Sequence, residues 1–222
     1  MKVTPIGQSG YIVKSGKSEI VIDPYLSDSV FKASGKERMI PAPIDPKTIN
    51  SDAVICTHNH LDHLDPDTVS EIHENQFYIT TAEGVEKLKT LGRSNAVYLP
   101  VGESINVGEF KITAVFALHS CEAMGIIVEA EGKKLYFSGD TLFDEKLFEI
   151  ANYNPDVTFI CINGKLGNMN VEEALITAKK IGAKINVPTH YDMFASNTEN
   201  PLLFSENIEG SLVLEAGTEY EF

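Results

Sequence analysis

Cysteine and long apolar runs are both scarce in this chain of 222 residues. The only cysteines are Cys56, Cys121 and Cys161, an odd number, and two of them lie in apolar runs typical of strands, so buried free thiols are expected rather than a disulfide framework. No run approaches the ~18 to 20 apolar residues that span a bilayer, and residues 1–5 lack the apolar core of a secretory signal. These absences predict a cytoplasmic protein that does not enter a membrane.

Positive charge is also scarce, because 18 basic residues face 32 acidic ones and the formal net charge is −14. Such a chain would repel a phosphate backbone and has no long basic tract to offset the repulsion, so nucleic acid is not expected as a partner. A small anionic substrate remains possible, since bound divalent cations can reverse the local potential.

Low-complexity linkers and solenoid repeats are absent as well, which favours a single domain over residues 1–222. Turn residues separate short apolar runs that predict strands at 11–13, 19–22, 53–56, 77–79, 96–99, 105–107, 111–118, 125–130, 134–138, 157–162, 183–187, 211–215 and 219–222. Helices are predicted at 67–74, 82–91, 143–152 and 171–181, the second with a capping box from Thr80 to Glu83. Two series of strands with outlying helices indicate an α/β fold of two face-to-face sheets flanked by helices, an αββα sandwich.

Half of the six histidines stand in one short stretch, residues 57–65, directly after the apolar run Ala53–Cys56. His58 and His60 can leave an extended segment on the same side and reach one metal ion. Asp62 and His63, past a turn, can reach a neighbouring ion. Imidazole nitrogen and carboxylate oxygen suit zinc, manganese and iron, so the stretch predicts a metal site.

Three further polar residues each stand where an apolar run stops: His119, Asp140 and His190. Gly139, directly before Asp140, permits a sharp turn or a close backbone approach. Polar residues at strand ends commonly form functional sites. In a sandwich, loops at one edge converge, so donors from both halves of the chain could meet there.

The pattern HxHxDH, a later His, an Asp in SGDT and a His in PTHY resembles the metallo-β-lactamase superfamily of dinuclear hydrolases. Nearly the whole chain takes part, since IGQSG at 6–10 and IDPYL at 22–26 resemble the first strands of that superfamily. The stretches CINGKLGNMN at 161–170 and PTHYDMF at 188–194 are similar to the branch that contains L-ascorbate-6-phosphate lactonase. The resemblance implies a four-layer αββα sandwich of the metallo-β-lactamase type.

The resemblance also implies a site with two divalent metal ions. It assigns His58, His60 and His119 to the first ion, Asp62, His63 and His190 to the second, and Asp140 to a bridging position. A hydroxide between the ions would then attack a small anionic ester, lactone or phosphoester, with Asp62 as the residue that takes the proton.

Substrate contacts are expected from two loops, through Asn163 and Lys165 after one strand and Tyr191 and Asp192 beside His190. Each has an alternative: Lys165 as a solvated charge, Tyr191 as a packing residue and Asp192 as a cap. The sequence does not separate these readings.

Other histidines, acids and thiols have alternatives of their own. Asp23 and Asp65 flank prolines, where turn or cap duty competes with support of a ligand histidine. His73 falls in a helical stretch and is expected on the surface. Cys121, close to His119, is either a small loop residue or a residue with an outer-shell or redox role.

Three other functions compete with that of a small-ester hydrolase. They are a non-catalytic metal-binding or regulatory protein, a nuclease or phosphodiesterase of the same superfamily, and a flavodiiron oxidoreductase. The last would carry Glu in place of the second His of HxHxDH and an additional flavin domain, neither of which is found. A homo-oligomer is possible.

Overall fold

Short apolar runs become thirteen strands in the computed structural model, which describes residues 1–222. The strands are β1 (Lys2–Gly7), β2 (Gly10–Ser15), β3 (Ser18–Ile22), β4 (Ala53–Cys56), β5 (Tyr78–Thr80), β6 (Ala96–Tyr98), β7 (Ser104–Val107), β8 (Phe110–Phe116), β9 (Met124–Ala130), β10 (Lys133–Phe137), β11 (Val157–Cys161), β12 (Ile185–Thr189) and β13 (Tyr220–Glu221). The α-helices are α1 (Ser29–Ser34), α2 (Pro66–Glu71), α3 (Ala82–Thr90), α4 (Val171–Ile181) and α5 (Leu202–Ser205), and two 3₁₀ helices cover Pro46–Thr48 and Glu145–Tyr153.

The strands form two mixed sheets. The first has seven strands in the order β13-β1-β2-β3-β4-β5-β6, and the second has six in the order β12-β11-β10-β9-β8-β7. Strands β7 to β10, which no helix separates, pair antiparallel with their chain neighbours. Pairs separated by a helix, such as β4 and β5 or β11 and β12, run parallel, because a parallel connection needs a crossover.

Alternation along the strands divides the core into layers. In β3, Ile20 and Ile22 join a central cluster of 24 buried residues drawn from both sheets, whereas Val21 faces the opposite way. Side chains on the outer face of the first sheet pack against α2 and α3, and those of the second pack against α4 and the 3₁₀ helix Glu145–Tyr153. The resulting order is helices, sheet, sheet, helices, so the predicted αββα sandwich is confirmed.

Helix ends follow local chemistry, with two corrections to the sequence predictions. Asn170 and Glu173 form a capping box at the start of α4, which has the predicted bounds. The cap of α3 is Thr81, which accepts from the amide of Gly84, so the prediction of a box at Thr80 was wrong. The segment expected as an α-helix at 143–152 is a 3₁₀ helix capped by Asp144.

The C-terminal segment was also predicted wrongly as a strand pair. Only Tyr220–Glu221 forms a strand, and it pairs with β1 rather than with residues 211–215. Ser211 makes just an isolated bridge to Asn186. Tyr220 and Glu221 thus extend the edge of the first sheet instead of forming a hairpin with residues 211–215. None of the helices combines the length and apolar character needed to cross a membrane.

One edge of the sandwich collects the polar strand ends. The C-terminal ends of β10, β11 and β12 lie side by side because these strands are parallel. Residues 57–65, after β4, cross toward the second sheet: His58 forms an isolated bridge with Ala123, and the amide of Met124 donates to the carbonyl of Thr57 at 3.1 Å. This edge therefore brings donors from both sheets together.

Candidate metal centre

Three imidazoles form what we call the first cluster: His58, His60 and His119. His119 Nε2 lies 3.1 Å from His60 Nδ1, and the ring centroids of His58 are 4.6 and 4.9 Å from those of His60 and His119. The Nδ1 atom of His119 faces the carbonyl oxygen of Gly167 at 3.0 Å, which fixes the ring. Three nitrogens thus converge on one point.

A second cluster, Asp62, His63 and His190, lies beside the first. His190 Nε2 is 3.6 Å from Asp62 Oδ2, and His63 Nε2 is 4.0 Å from the same oxygen. His63 and His190 are fully buried, whereas the Asp62 side chain is 19% exposed. The carboxylate of Asp62 is accordingly the most accessible member of this cluster.

Asp140 lies between the two clusters. Its Oδ1 is 3.2 Å from Nε2 of both His63 and His190, and its Oδ2 is 3.9 Å from His119 Nε2. Each oxygen therefore faces a different cluster. Gly139 has φ +58°, and a Cβ there would lie 3.0 Å from Thr57 Cβ, so the turn that delivers Asp140 is suited to glycine.

The donors fit divalent metal ions. Nε2 of His58 is buried without a hydrogen-bond partner, which is costly for a polar atom unless another ligand satisfies it. The seven residues predicted from the sequence all belong to three overlapping groups of donors, and within each group the ligand atoms lie within 4.8 Å of one another. Neutral imidazoles and carboxylates are donors that zinc, manganese and iron accept.

Asp23 supports the centre through hydrogen bonds with His63 and Thr57. Its Oδ2 accepts from His63 Nδ1 at 2.8 Å and from the Thr57 hydroxyl at 2.7 Å, while its Oδ1 accepts from the Thr57 amide at 2.7 Å. A carboxylate on Nδ1 orients the ring so that Nε2 faces the second cluster. The structure thus favours the support role for Asp23, whereas Asp65 caps α2 and contacts Ser27 and Thr68.

Burial and neighbouring charges shift the pKa values of the histidines in opposite directions in the two clusters. Burial lowers the pKa of His58 and His60, and neighbouring imidazoles lower it further. Burial alone would also lower the pKa of His63 and His190, but nearby carboxylates together outweigh it and raise the pKa of both: Asp140 with Asp23 at His63, and Asp140 with Asp62 at His190. Those two histidines in turn overcome the burial of Asp140 and hold its pKa well below the usual range.

Two contributors escaped the sequence predictions. Gln8 Nε2 donates to Asp62 Oδ2 at 2.7 Å and lies 3.1 Å from His190 Nε2. Lys87 on α3 donates to the carbonyl oxygens of Asn59 and Leu64 at 2.6 and 2.7 Å, and burial lowers its pKa. A lysine within an amphipathic helix carries no signal of this role, and the only hint for Gln8 was a polar residue at a strand end.

The four predicted substrate contacts are placed differently from one another. Asn163 is buried, and its side chain is engaged by Lys165 O, Asn197 and Asn168, so it organises its loop and leaves no donor for a substrate. Lys165 is exposed in the same loop that meets His119 at Gly167. His73 is exposed after α2, as expected.

Tyr191 and Asp192 line a cavity of about 510 Å³ beside the second cluster. The Tyr191 hydroxyl donates to the carbonyl oxygen of Leu214 at 3.3 Å. Gln8, which contacts Asp62 and His190 of the second cluster, also lines the cavity. The full lining is Pro5, Gly7, Gln8, Tyr11, Ile40, Pro41, Pro43, Pro188, Tyr191, Asp192, Pro201, Val213, Leu214, Glu215 and Ala216. Its only charged residues are acidic.

Comparison with known proteins agrees with this geometry. Residues 18–191 match the family model described as "Beta-lactamase superfamily domain". The chain belongs to this family, because the match spans well over half of its 222 residues. The fold and site thus define a metal-dependent hydrolase of the metallo-β-lactamase superfamily, as the sequence predicted.

Individual relatives carry the same description. A UPF0173 metal-dependent hydrolase of Methanoculleus marisnigri is 31% identical, over 94% of this chain and 89% of the relative. Another from Methanosphaera stadtmanae is 28% identical, over 96% and 93%. The solved structure of Igni18, a metallo hydrolase from Ignicoccus hospitalis, is 25% identical, covers 100% of this chain and 98% of its own, and superposes with a TM-score of 0.79.

Proposed function

We propose that this chain hydrolyses a small ester, lactone or phosphoester at a centre of two divalent ions. The first cluster would hold one ion, the second cluster the other, and Asp140 would bridge them. The observation that carries the proposal is the placement of Asp140, whose two oxygens face different clusters. Zinc, manganese and iron are the metals that suit these donors.

The ions, when bound, would supply an activated hydroxide and polarise the oxygen that gains charge in the reaction. Asp62 is the residue that we propose handles the proton, because it is the accessible carboxylate of the second cluster. Gln8 holds Asp62 by its 2.7 Å hydrogen bond, so the carboxylate keeps one orientation during proton transfer. Asp23 keeps His63 aligned in the same way.

The surroundings of the centre constrain the substrate. The cavity beside the second cluster has no basic lining residue, so a charged tail would find only Asp192 and Glu215 there. We infer that any negative charge of the substrate sits at the reacting group, close to the ions and to Lys165, while the uncharged remainder occupies the cavity near Tyr191. The lactone of a small sugar derivative, suggested by the resemblance of residues 161–170 and 188–194, fits this description.

A substrate panel tests the proposal. Purified protein, with its metal content measured, would be assayed against lactones, phosphomonoesters, phosphodiesters and thioesters. We expect turnover of at least one class, and we expect His60→Ala to abolish it with little loss of fold, because His60 is a loop residue outside the buried core. His73→Ala, an exposed histidine outside the centre, is the matched control and should keep full activity.

Three outcomes would contradict the proposal. Bound ions with no turnover of any class would favour a non-catalytic metal-binding or regulatory protein. Full activity after removal of the metal, or in His60→Ala, would exclude the centre from catalysis. Cleavage confined to nucleic acid would support a nuclease, which the net charge of −14 opposes.

A further inference from the structure

A thiol stands beside the first cluster. Cys121 lies two residues after His119, in the connection between β8 and β9, and its Sγ and one ring nitrogen from each histidine of the first cluster lie within 4.8 Å of one another. The side chain is partly exposed, whereas Cys56 and Cys161 are fully buried in strands. Cys121 is thus the one thiol that can approach a metal ion.

We propose that the Cys121 thiolate is a fourth protein donor to the ion of the first cluster, and that this donor makes the position selective for zinc over manganese. The inference rests on the proposed function, since it assumes an ion at the first cluster. It adds a ligand that the histidine and aspartate motifs do not contain. The thiol would release its proton to solvent as the ion binds.

The geometry favours coordination over simple packing. His58 is 0% exposed, yet its Nε2 has no hydrogen-bond partner and belongs to the same donor group as the thiol. Three nitrogens and one sulfur are donors that zinc accepts, with bond lengths of about 2.0 to 2.3 Å that separate nitrogen from sulfur by roughly 3.5 Å, and a five-coordinate zinc would keep a position for Asp140. Side-chain rotation of a partly exposed cysteine can close the remaining distance.

The alternatives for this thiol are weaker. A disulfide is excluded by placement, because Cys56 and Cys161 belong to the buried clusters on the outer faces of the two sheets. Soft thiolate together with imidazole suits zinc, whereas manganese prefers oxygen donors.

Cobalt substitution tests the ligand directly. The full-length metal-free protein would be titrated with Co²⁺, and a thiolate-to-cobalt charge-transfer band in the near ultraviolet is expected. Cys121→Ser should bind Co²⁺ through the remaining histidines but lose that band. Cys56→Ala, which removes a buried thiol, is the matched control and should keep it. Zinc affinity should fall by about 100-fold or more in Cys121→Ser, because loss of outer partners alone costs 10- to 100-fold, while manganese affinity should change little.

A second measurement avoids dependence on the variant. In the unmodified protein, zinc should protect Cys121 from alkylation by iodoacetamide. Cobalt binding without the charge-transfer band, a band that persists in Cys121→Ser, or alkylation unaffected by zinc would each overturn the proposal and leave the metal centre standing. Failure of the unmodified protein to bind Co²⁺ or zinc at all would overturn the proposed function together with it.

Discussion

Replacement of Asp23 by asparagine tests how much the residue that orients His63 contributes to metal binding, without changing His63 itself. Asp23 is fully buried, and the only proposed metal ligand that it hydrogen-bonds is His63, through the 2.8 Å contact to Nδ1. Asparagine has nearly the same shape, but it has no charge, and only one of its two terminal atoms can accept a hydrogen bond. The variant should therefore bind the second ion less tightly while it keeps the fold.

The expected size of the effect follows from these contacts. Asp23 accepts three hydrogen bonds, two from Thr57 and one from His63, and asparagine can keep those that reach a single oxygen. Loss of a hydrogen bond to a charged group costs about 1.5 to 3 kcal/mol of stability. Loss of the outer partner of a ligand histidine costs about 10- to 100-fold in metal affinity, or about 1.4 to 2.8 kcal/mol.

Two measurements, thermal unfolding and competition with a chelator, separate stability from binding. Asp65→Asn is the matched control, because Asp65 is equally buried, hydrogen-bonds Ser27 and Thr68, and touches no histidine. Both variants should unfold at lower temperature, but only Asp23→Asn should lose affinity for the second ion. Wild-type affinity in Asp23→Asn, or an equal loss in Asp65→Asn, would refute the reasoning.

Further predictions concern pH, the turn before Asp140 and the loop support. On acidification the second-cluster ion should leave before the first-cluster ion. Protons compete with metal for imidazole nitrogen, and the pKa of His63 in the second cluster is raised whereas that of His58 in the first is lowered. Metal analysis after dialysis at successively lower pH checks this order, and simultaneous release of both ions would contradict it. Gly139→Ala should lower stability by about 1 to 3 kcal/mol and weaken metal binding, because φ is +58° and the new Cβ meets Thr57, as seen by unfolding and metal content. Lys87→Met should destabilise the chain by about 1 to 3 kcal/mol and weaken metal binding through the loop that it ties, whereas Lys89→Met on the exposed face of the same helix should change neither.

The spacing of apolar residues along the chain and the residues typical of turns made most of the fold predictable. The apolar runs at 53–56 and 157–162 and the helix at 171–181 have patterns that belong to one secondary structure, and the structure places them as expected. The errors fall where local preference is weak. Residues 211–215 are strand-like in composition, but only Ser211 forms a bridge, to Asn186 of β12, and the rest of the segment is irregular.

The candidate centre divides in the same way. The types and spacing of seven donors identified a metal site, because few other roles need so many histidines and aspartates at strand ends. Gln8, Lys87 and the support by Asp23 were not predictable to the same degree, since each acts on a residue at least 23 positions away. Such contacts depend on which loops meet, and spacing along one chain does not contain that information.

The sequence by itself therefore predicted the layered α/β architecture from periodicity and a metal site from the chemistry of the histidine-rich stretch, whereas the class of hydrolase and the full set of donors came from the resemblance to the metallo-β-lactamase superfamily. Only the tertiary structure decided which oxygen of Asp140 faces which cluster, that Asn163 is consumed by its own loop, and that Cys121 lies against the first cluster. The physical reason is that ligand geometry arises from the packing of two sheets against each other, and packing joins residues that no local pattern connects.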